Sequence, residues 1–423
     1  MADVHVLDVL LHGEPVGTLA RLDDDRTLFG FLDAYVQDAN RPLLGLGFKD
    51  RFGELITSFR PTRTRLLPYF SNLLPEGRLR TYLAERAGVH AEREFFLLRV
   101  LGLDLPGAVT IRSPEGDVWP PDAHSASDRP VHEAGDGRRQ ALRFSLAGVQ
   151  LKFSAVGEAR GGLTIPAKGI GGSWIVKLPS PEYEGVPENE YSMMTLAGLI
   201  GMHVPAMRLI DVRDIANLPE GVGRFGGTAL AVERFDRTSG GDSVHAEDFA
   251  QVFGVYPESK YMQASMRSIA RVVGVEGTLA DVAEFIRRLT FNTLIGNADL
   301  HLKNWSLIYP DRRRAALAPA YDFVSTIAHI PDDKAALKFS RTKLFTEFSE
   351  DELSHLADRA LLPERLVLDT ARETVALFRQ HWRAEKSNLP LAANVVSAIE
   401  THLASVPLAR ARQTRVGPLQ RAP

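Results

Sequence analysis

The chain has 423 residues, a net charge of −3, 44% hydrophobic and 24% charged residues, and no cysteine. This length predicts two to three structural units, on a prior of roughly 150 residues per domain. The lack of cysteine excludes disulfides, thiolate metal sites and a cysteine nucleophile, and the near-neutral charge excludes a general attraction to nucleic acid. Because we find no signal peptide and no apolar run near the ~20 residues of a membrane helix, we expect a soluble, cytoplasmic protein.

The first predicted unit covers residues 1–112. His5–Leu11 and Thr18–Leu22 are typical of two strands joined by a turn that contains glycine and proline. Glu76–Ala87 and Glu92–Leu103 carry apolar residues at helical spacing and predict two helices. The unit is therefore expected to mix a small sheet with helices.

A linker and a second unit follow. Residues 113–140 contain four prolines and almost no large aliphatic side chains, which predicts a linker. Residues 141–235 form the second unit, in which Trp174–Leu178 and Thr228–Phe235 predict strands and Pro187–Ile200 predicts a helix. We expect a small twisted sheet with one helix packed on it.

The third unit, residues 236–406, is predicted to be mostly helical. Its helical segments are Asp281–Ile295, Glu350–Leu361, Glu364–Glu385 and Leu391–Ala404. The tail, residues 407–423, has four arginines and no acid. We interpret it as a frayed, solvated end rather than a nucleic-acid arm.

The segment Gly296–Ser306 carries an unusual density of polar residues between two apolar stretches. Asp299 precedes Asn304 by the offset that separates the catalytic-loop Asp from the metal-binding Asn of protein kinases. In those enzymes the Asp accepts the proton of the attacking hydroxyl, and the Asn helps to hold magnesium. His301 is expected to order the loop, and Lys303 either contacts a phosphate or neutralises Asp299.

Lys177 lies in the otherwise apolar predicted strand Trp174–Leu178. Strand alternation puts it on the face opposite Val176 and Leu178, where it either points to solvent or reaches into a cleft. Considered alone, Lys177 would be interpreted as a solvent-exposed lysine. The polar loop described above and the acids described next favour a lysine that reaches into a cleft.

Glu190 begins an apolar stripe on the predicted helix that follows Lys177. The stripe continues through Met193, Met194, Ala197 and Ile200. A carboxylate on an inward stripe needs a cation, and Lys177 is the natural one by analogy with the strand-lysine to helix-glutamate pair of kinases. Alternatively, Glu190 is an acid near the N-terminus of the helix, where it interacts favourably with the helix dipole. Both interpretations remain open.

Asp322 is the single acid between Asp311 and Asp332 and stands among apolar residues. It is either a second magnesium ligand or the cap of a following helix, and its place after Lys177 and Asp299 favours the ligand. The G-x-G-x-x-G match at Gly221–Gly226 follows Lys177 and leads into a strand, so we interpret it as a plain loop.

In combination these residues resemble one family, the HipA-type serine/threonine kinases that serve as toxins of type II toxin–antitoxin modules. The matching pieces are Gly13–Leu22, Asn72–Gly77, Ser145–Lys152, Ile175–Pro179, Asn189–Glu190, Val232–Arg237, Asp299–Ser306 and Pro319–Asp322. The resemblance implies an α+β, bilobal protein-kinase-like fold. An additional N-terminal α/β subdomain and a mostly helical C-terminal lobe are expected with it.

The resemblance also implies an ATP and Mg²⁺ site. Asp299 would be the catalytic residue, Asn304 and Asp322 would bind the metal, and Ser145 would be an autophosphorylation site that silences the enzyme. The expected nucleotide-binding residues are Ser145, Gly148, Gln150 and Lys152 of a phosphate loop, Lys177, Glu190, Glu233 and Phe235 of a hinge, His301 and Lys303.

Implied partners are a small helix-turn-helix antitoxin of the HipB type and a protein substrate of the aminoacyl-tRNA synthetase class. DNA would be reached only through the antitoxin, and no membrane is involved. The chain departs from ordinary protein kinases: no G-x-G-x-x-G precedes Lys177, no His-Arg precedes Asp299, and Phe-Val follows Asp322. These departures are compatible with the HipA type.

Two other functions compete with a kinase. One is a metallohydrolase that uses Asp299, His301 and Asp322, which is weakened because the chain has neither H-x-H nor H-E-x-x-H. The other is a catalytically silent co-repressor that acts with an antitoxin. The presence of all the expected catalytic residues argues against it.

Overall fold

The computed structural model describes residues 6–22, 25–114, 152–157, 162–165, 172–218, 226–238, 240–330 and 334–410. The chain divides into two compact units, each discontinuous in sequence. The first unit comprises Met1–Pro187, Pro205–Gln263 and Leu302–Ala318, and the second comprises Glu188–Val204, Ala264–His301 and Pro319–Pro423. Within the described part of the chain, no helix is long and apolar enough to cross a membrane.

The strands of the described residues all fall in the first unit. They are β1 (Val6–Leu11), β2 (Glu14–Arg21), β3 (Arg26–Phe31), β4 (Thr62–Arg63), β5 (Val109–Arg112), β6 (Lys152–Gly157), β7 (Leu163–Thr164), β8 (Trp174–Lys177), β9 (Met207–Asp211), β10 (Ile215–Ala216), β11 (Thr228–Glu233), β12 (His245–Asp248), β13 (Ser306–Tyr309) and β14 (Ala316–Leu317).

The helices occur in both units. They are α1 (Asp33–Gln37), α2 (Pro68–Ser71), α3 (Gly77–Ala87), α4 (Glu94–Leu101), α5 (Val186–Leu199), α6 (Phe249–Val252), α7 (Met266–Glu276), α8 (Leu279–Leu294), α9 (Glu350–Ala360), α10 (Glu364–Glu385), α11 (Ala393–Leu403) and α12 (Pro407–Arg410). Short 3₁₀ turns cover Leu46–Phe48, Val212–Asp214, Pro257–Ser259, Leu302–Asn304, Thr326–Ala328 and Phe345–Glu347.

The amino-terminal sheet is antiparallel, in the order β4-β3-β2-β1-β5. Leu7, Val9 and Leu11 of β1 alternate into its core, as a half-buried strand requires. The observed turn between β1 and β2 is shorter than the predicted one. His12 and Gly13 alone reverse the chain, with positive φ values of 53° and 84°.

A second, six-stranded sheet has the order β10-β7-β6-β8-β11-β9. The pair β10–β7 is parallel, and the other described pairs are antiparallel. Its core contains Val176 and Leu178 together with Ala229, Ala231 and Ile210 of the neighbouring strands. The strands predicted at Trp174–Leu178 and Thr228–Phe235 are therefore confirmed to within two residues at each end.

Short strands also occur within residues 236–406, which the sequence predicts to be mostly helical. β12, β13 and β14 form a three-stranded antiparallel sheet. The residues of β12 and β13 are mostly buried, but each strand has only four residues. Periodicity has too few positions to show itself over such a length.

The region predicted to be mostly helical, residues 236–406, is confirmed as such, although it also contains β12, β13 and β14. The four predicted helices appear as α8 to α11, and α8 begins with a capping box between Thr278 and Asp281. Phe291 of α8 and Phe378 of α10 pack with their rings 5.7 Å apart. The structure differs at the predicted frayed tail, since Leu408 and Ala409 of α12 are buried. Together with the sheets of the first unit, these helices confirm the mixed α+β fold.

Candidate active site

Lys177 is a buried lysine at the carboxyl end of the central strand β8, with 6% of its surface exposed. Val176 beside it is fully buried in the apolar core, so alternation puts the lysine on the other face of the sheet. Burial excludes the interpretation of Lys177 as a solvent-exposed surface lysine.

Lys152 of β6 is the direct cross-strand partner of Lys177 in the antiparallel register. Directly opposite residues share a face of the sheet, and two like charges in this arrangement repel each other. The two lysines therefore concentrate positive charge on this face of the sheet, and such charge suits the binding of an anion such as phosphate.

The predicted hinge follows strand β11. Glu233, the last residue of β11, is exposed, and its backbone amide donates to the carbonyl of Ala206 at 2.8 Å. Phe235 is half-buried. Since the Glu233 amide is used within the sheet, a ligand contact at this residue would use its carbonyl group.

Helix α5 carries two buried polar residues near its start, Asn189 and Glu190, which are 1% and 2% exposed. The stripe predicted to follow Glu190 is buried, as expected for an inward helix face. The side chain of Asn189 pairs in both directions with the backbone of Ser325. Its amide donates to the Ser325 carbonyl at 3.0 Å, and its oxygen accepts from the Ser325 amide at 3.1 Å.

The polar loop after α8 begins with Gly296, whose φ is +66°. A Cβ atom at this position would lie 2.4 Å from Cδ1 of Ile327, so only glycine fits without a shift. The carbonyl of Gly296 accepts from the Thr326 hydroxyl at 3.2 Å, and that hydroxyl accepts from the amide of Ala298 at 2.7 Å. Thr326 thereby holds the start of the loop.

Asn297 sets the direction of the loop as it reaches Asp299. Its side-chain amide donates to Oδ1 of Asn292 at 2.8 Å, and its oxygen accepts from the Asp299 amide at 3.0 Å. The amide of His301 then donates to the Asp299 carbonyl at 2.8 Å. Asp299 itself is exposed, while His301 is buried. This arrangement presents one carboxylate to solvent on a braced turn.

The loop continues into the Leu302–Asn304 turn, where Asn304 is 8% exposed. Nζ of Lys303 lies 2.7 Å from Oε1 of Glu76 and donates to the carbonyl of Asn72 at 3.1 Å. Asn72 and Glu76 belong to the Asn72–Gly77 motif, far away in sequence. Lys303 therefore has a counterion within the protein.

Asp322 is half-buried and has a φ of +63°, in the left-handed region that non-glycine residues seldom adopt. It does not cap the next helical turn, Thr326–Ala328, whose N-cap is Ser325. The capping interpretation of Asp322 is therefore wrong. Strained backbone of this kind is concentrated at ligand sites, which favours the metal-ligand interpretation.

Three expected site residues, Ser145, Gly148 and Gln150, lie outside the described residues, as does nearly all of the predicted linker. Among the described residues, no group of three or more His, Cys, Asp or Glu side chains is arranged to hold a metal ion. A magnesium–nucleotide complex does not require such a group. It requires oxygen ligands for the metal and cations for the phosphates. By its chemistry, each of Asn304 and Asp322 offers an oxygen donor to such a metal, and the lysine pair offers cations to the phosphates.

Sequence reasoning missed a buried ion cluster next to the predicted hinge. We call it the Arg234 cluster, and it consists of Asp104, Arg234, Asp236 and Arg237. Arg234 pairs with Asp236 through two bonds of 2.9 Å and with Asp104 at 2.9 Å. Burial alone would lower the pKa of Arg234, but the two carboxylates outweigh it and raise the pKa. In the sequence, the Val232–Arg237 motif was the one sign of this cluster. Its charged residues did not indicate that Asp104, in the amino-terminal part, is their partner.

The fold and these residues define a class, the proteins with a kinase-like α+β fold. Comparison with known proteins then gives the family. The model of the HipA N-terminal domain matches residues 7–112, and the model of the HipA-like C-terminal domain matches residues 144–382. The chain belongs to the HipA family.

Individual relatives agree with this assignment. The protein named "Putative kinase Y4dM" of Sinorhizobium fredii is 60% identical over 413 residues, which cover 97% of this chain and 99% of that protein. The serine/threonine-protein kinase toxin HipA of Shewanella oneidensis is 28% identical over 62% of this chain and 64% of its own. A solved complex of Shewanella oneidensis HipA, HipB and operator DNA matches with a TM-score of 0.70 and 22% identity over 94% of both chains, which shows a shared fold.

Proposed function

We propose that this HipA-family protein is an ATP- and Mg²⁺-dependent serine/threonine protein kinase. The observation that carries the proposal is the buried Lys177 with Lys152 directly opposite it on the same face of the sheet. Two lysines on one face concentrate positive charge there, and the phosphates of ATP are anions that this charge would bind. The carbonyl group of Glu233 and the backbone of Phe235 would contact the adenine.

Asp299 is the proposed catalytic residue, because it is exposed while its backbone is held on both sides. Its carboxylate would accept the proton of a serine or threonine hydroxyl as that oxygen bonds to the γ-phosphorus and the bond to ADP breaks. Asn304 and Asp322 would hold Mg²⁺, which when bound neutralises charge on the phosphates. His301, which is buried, would keep the loop in shape.

Membership of the HipA family supports a proposal for the biological role. We propose that the protein phosphorylates a cytosolic protein of the aminoacyl-tRNA synthetase class, halts translation, and is silenced by autophosphorylation at Ser145. Its proposed partner is a helix-turn-helix antitoxin of the HipB type, through which alone it would reach DNA. Support comes from the family membership and from the resemblance in the catalytic segments.

The test is phosphate transfer from radiolabelled Mg-ATP to the protein itself, with the modified residue located by mass spectrometry. We expect Asp299→Asn to lower the rate by about 100-fold or more, because the amide cannot accept a proton. Asp358→Asn is the matched control, since this acid on α9 is well exposed. If Asp299→Asn and Asp358→Asn both transfer phosphate like the wild type, Asp299 is not the catalytic residue.

A further inference from the structure

Glu76 of the Asn72–Gly77 motif joins two lysines that come from elsewhere in the first unit. Its Oε1 lies 2.7 Å from Nζ of Lys303, and its Oε2 lies 2.8 Å from Nζ of Lys260. Asp248 approaches the same Lys303 ammonium less closely, at 3.8 Å. These four side chains are 12% to 26% exposed, so water screens them only in part.

The charges in this cluster balance, with two lysines against two acids. Burial alone would raise the pKa of Glu76, but Lys303 and Lys260 outweigh it and lower that pKa to about 2. Burial raises the pKa of Asp248 to about 6, against the opposing charge of Lys303. Glu76 therefore carries the negative charge that Lys303 meets over the whole physiological pH range.

The backbone around Glu76 and Lys303 is fixed as well. The Asn72 side-chain amide donates to the carbonyls of Pro68 and Val255, each at 2.8 Å, and this holds the Asn72 carbonyl where it accepts from Lys303. On the other side, the amide of Leu302 donates to the carbonyl of Lys260 at 3.3 Å. The turn that ends in Asn304 is therefore tied to the Asn72–Gly77 motif through the Lys303 side chain, and to Lys260 through its backbone.

We propose that Glu76 is a positioning residue, which holds Lys303 and thereby sets the Leu302–Asn304 turn so that the Asn304 side chain is correctly placed. The amino-terminal subdomain then contributes to phosphate transfer by orienting the loop, and Lys303 serves as its anchor. This inference rests on the proposed kinase function for its activity readout, but its structural readout does not.

The experiment compares Glu76→Gln, Lys303→Met and the double variant in the full-length protein. Each single variant is expected to lower kcat by roughly 10- to 100-fold, the usual effect of losing a residue that orients a ligand, with a smaller change in the KM for ATP. Because both substitutions break the same contact, the double variant is expected to be no slower than the slower single variant. Multiplying effects would show that Lys303 acts independently of Glu76 and would overturn the proposal.

A second readout needs no catalytic activity. Amide hydrogen exchange of residues 301–305 is expected to be roughly tenfold faster in Glu76→Gln than in the wild type, because the turn loses its tether. Unchanged exchange would refute the positioning role. A wild type that transfers no phosphate but shows this exchange difference would refute the proposed function and leave the positioning role supported.

The matched control is Glu258→Gln, in the turn Pro257–Ser259. Glu258 pairs with Arg65 of the amino-terminal part, as Glu76 pairs with Lys303, but both members of the Glu258–Arg65 pair are about half exposed. Its neutralisation is expected to change neither kcat nor the exchange of residues 301–305. Glu76→Asp keeps the charge and is expected to restore part of the lost rate, whereas a purely steric role would gain nothing from that charge.

Discussion

Gly296 and Asp322 both adopt left-handed backbone conformations, for different reasons. At Gly296 the close side chain of Ile327 leaves no space for a Cβ atom, so glycine is a steric requirement. Asp322 has a Cβ atom and bears a conformational cost of about 1 kcal/mol or more, which the surrounding structure must offset. A residue that is strained and also carries a carboxylate is the stronger sign of function.

Glu247 is another acid with an unusual environment. It is 1% exposed, accepts from the amide of Leu46 at 2.8 Å and from the Tyr309 hydroxyl at the same oxygen, and its Oε2 has no partner among the described residues. Burial raises its pKa to about 7, although these hydrogen bonds oppose the rise. The carboxyl group is therefore largely protonated below neutral pH.

This environment predicts that Glu247→Gln stabilises the protein at alkaline pH. A raised pKa means that the folded state binds the proton more tightly, so the stability of the wild type falls as pH rises from about 4.5 through about 7. Glutamine cannot ionise. The difference in unfolding free energy between variant and wild type should therefore grow by up to about 3 kcal/mol over that range.

Urea unfolding at about pH 5 and about pH 8 measures this difference. Glu54→Gln, an exposed glutamate of the amino-terminal part, is the control and should follow the wild type at both pH values. Parallel pH curves for Glu247→Gln and the wild type would mean that Glu247 is not protonated in the folded state.

At the level of helices and strands, local periodicity is what made prediction succeed. The stripe after Glu190 correctly indicated an inward acid, and strand alternation put Lys177 opposite the core. The contacts between Lys303 and the Asn72–Gly77 motif join residues as far as 231 positions apart. No periodic pattern reports such a pairing, which is decided by the packing of distant elements.

The same distinction applies to helix α5. Asn189 was noticed as part of a motif, but its role is the two-way bond to the Ser325 backbone, 136 positions away. Thr326, the next residue, holds Gly296 and Ala298 of the proposed catalytic loop. In the second unit, a short chain of hydrogen bonds therefore connects helix α5, the segment after Asp322 and the start of this loop.

This chain of bonds predicts that Asn189→Ala destabilises the protein by about 2–4 kcal/mol, because it leaves a buried amide and a buried carbonyl of Ser325 without partners. Urea unfolding measures the loss. Glu188→Gln, the neighbouring half-buried position, is the control and should stay within about 0.5 kcal/mol of the wild type. A loss for Asn189→Ala as small as that of the control would show that the segment at Ser325 finds other partners.

At the level of the whole molecule, the Arg234 cluster ties the amino-terminal sheet region to the six-stranded sheet inside the first unit. Asp104 and Gly107 come from the segment before β5, while Arg234 and Asp236 follow β11. The ionic side chains of this cluster are 5% to 13% exposed. The two positive and two negative charges of the cluster cancel. Removal of any one member would leave an uncompensated buried charge and destabilise the protein.

Arg234→Met is therefore expected to lower the unfolding free energy by about 3–5 kcal/mol, because it leaves Asp104 and Asp236 buried with one cation, Arg237, between them. The matched control is Arg213→Met. Arg213 bonds Asp211 over the same two-residue spacing but is 83% exposed, so its loss should leave the urea midpoint unchanged. If both variants unfold at the wild-type midpoint, burial adds nothing to the Arg234 cluster, and the amino-terminal part is held by its apolar contacts alone.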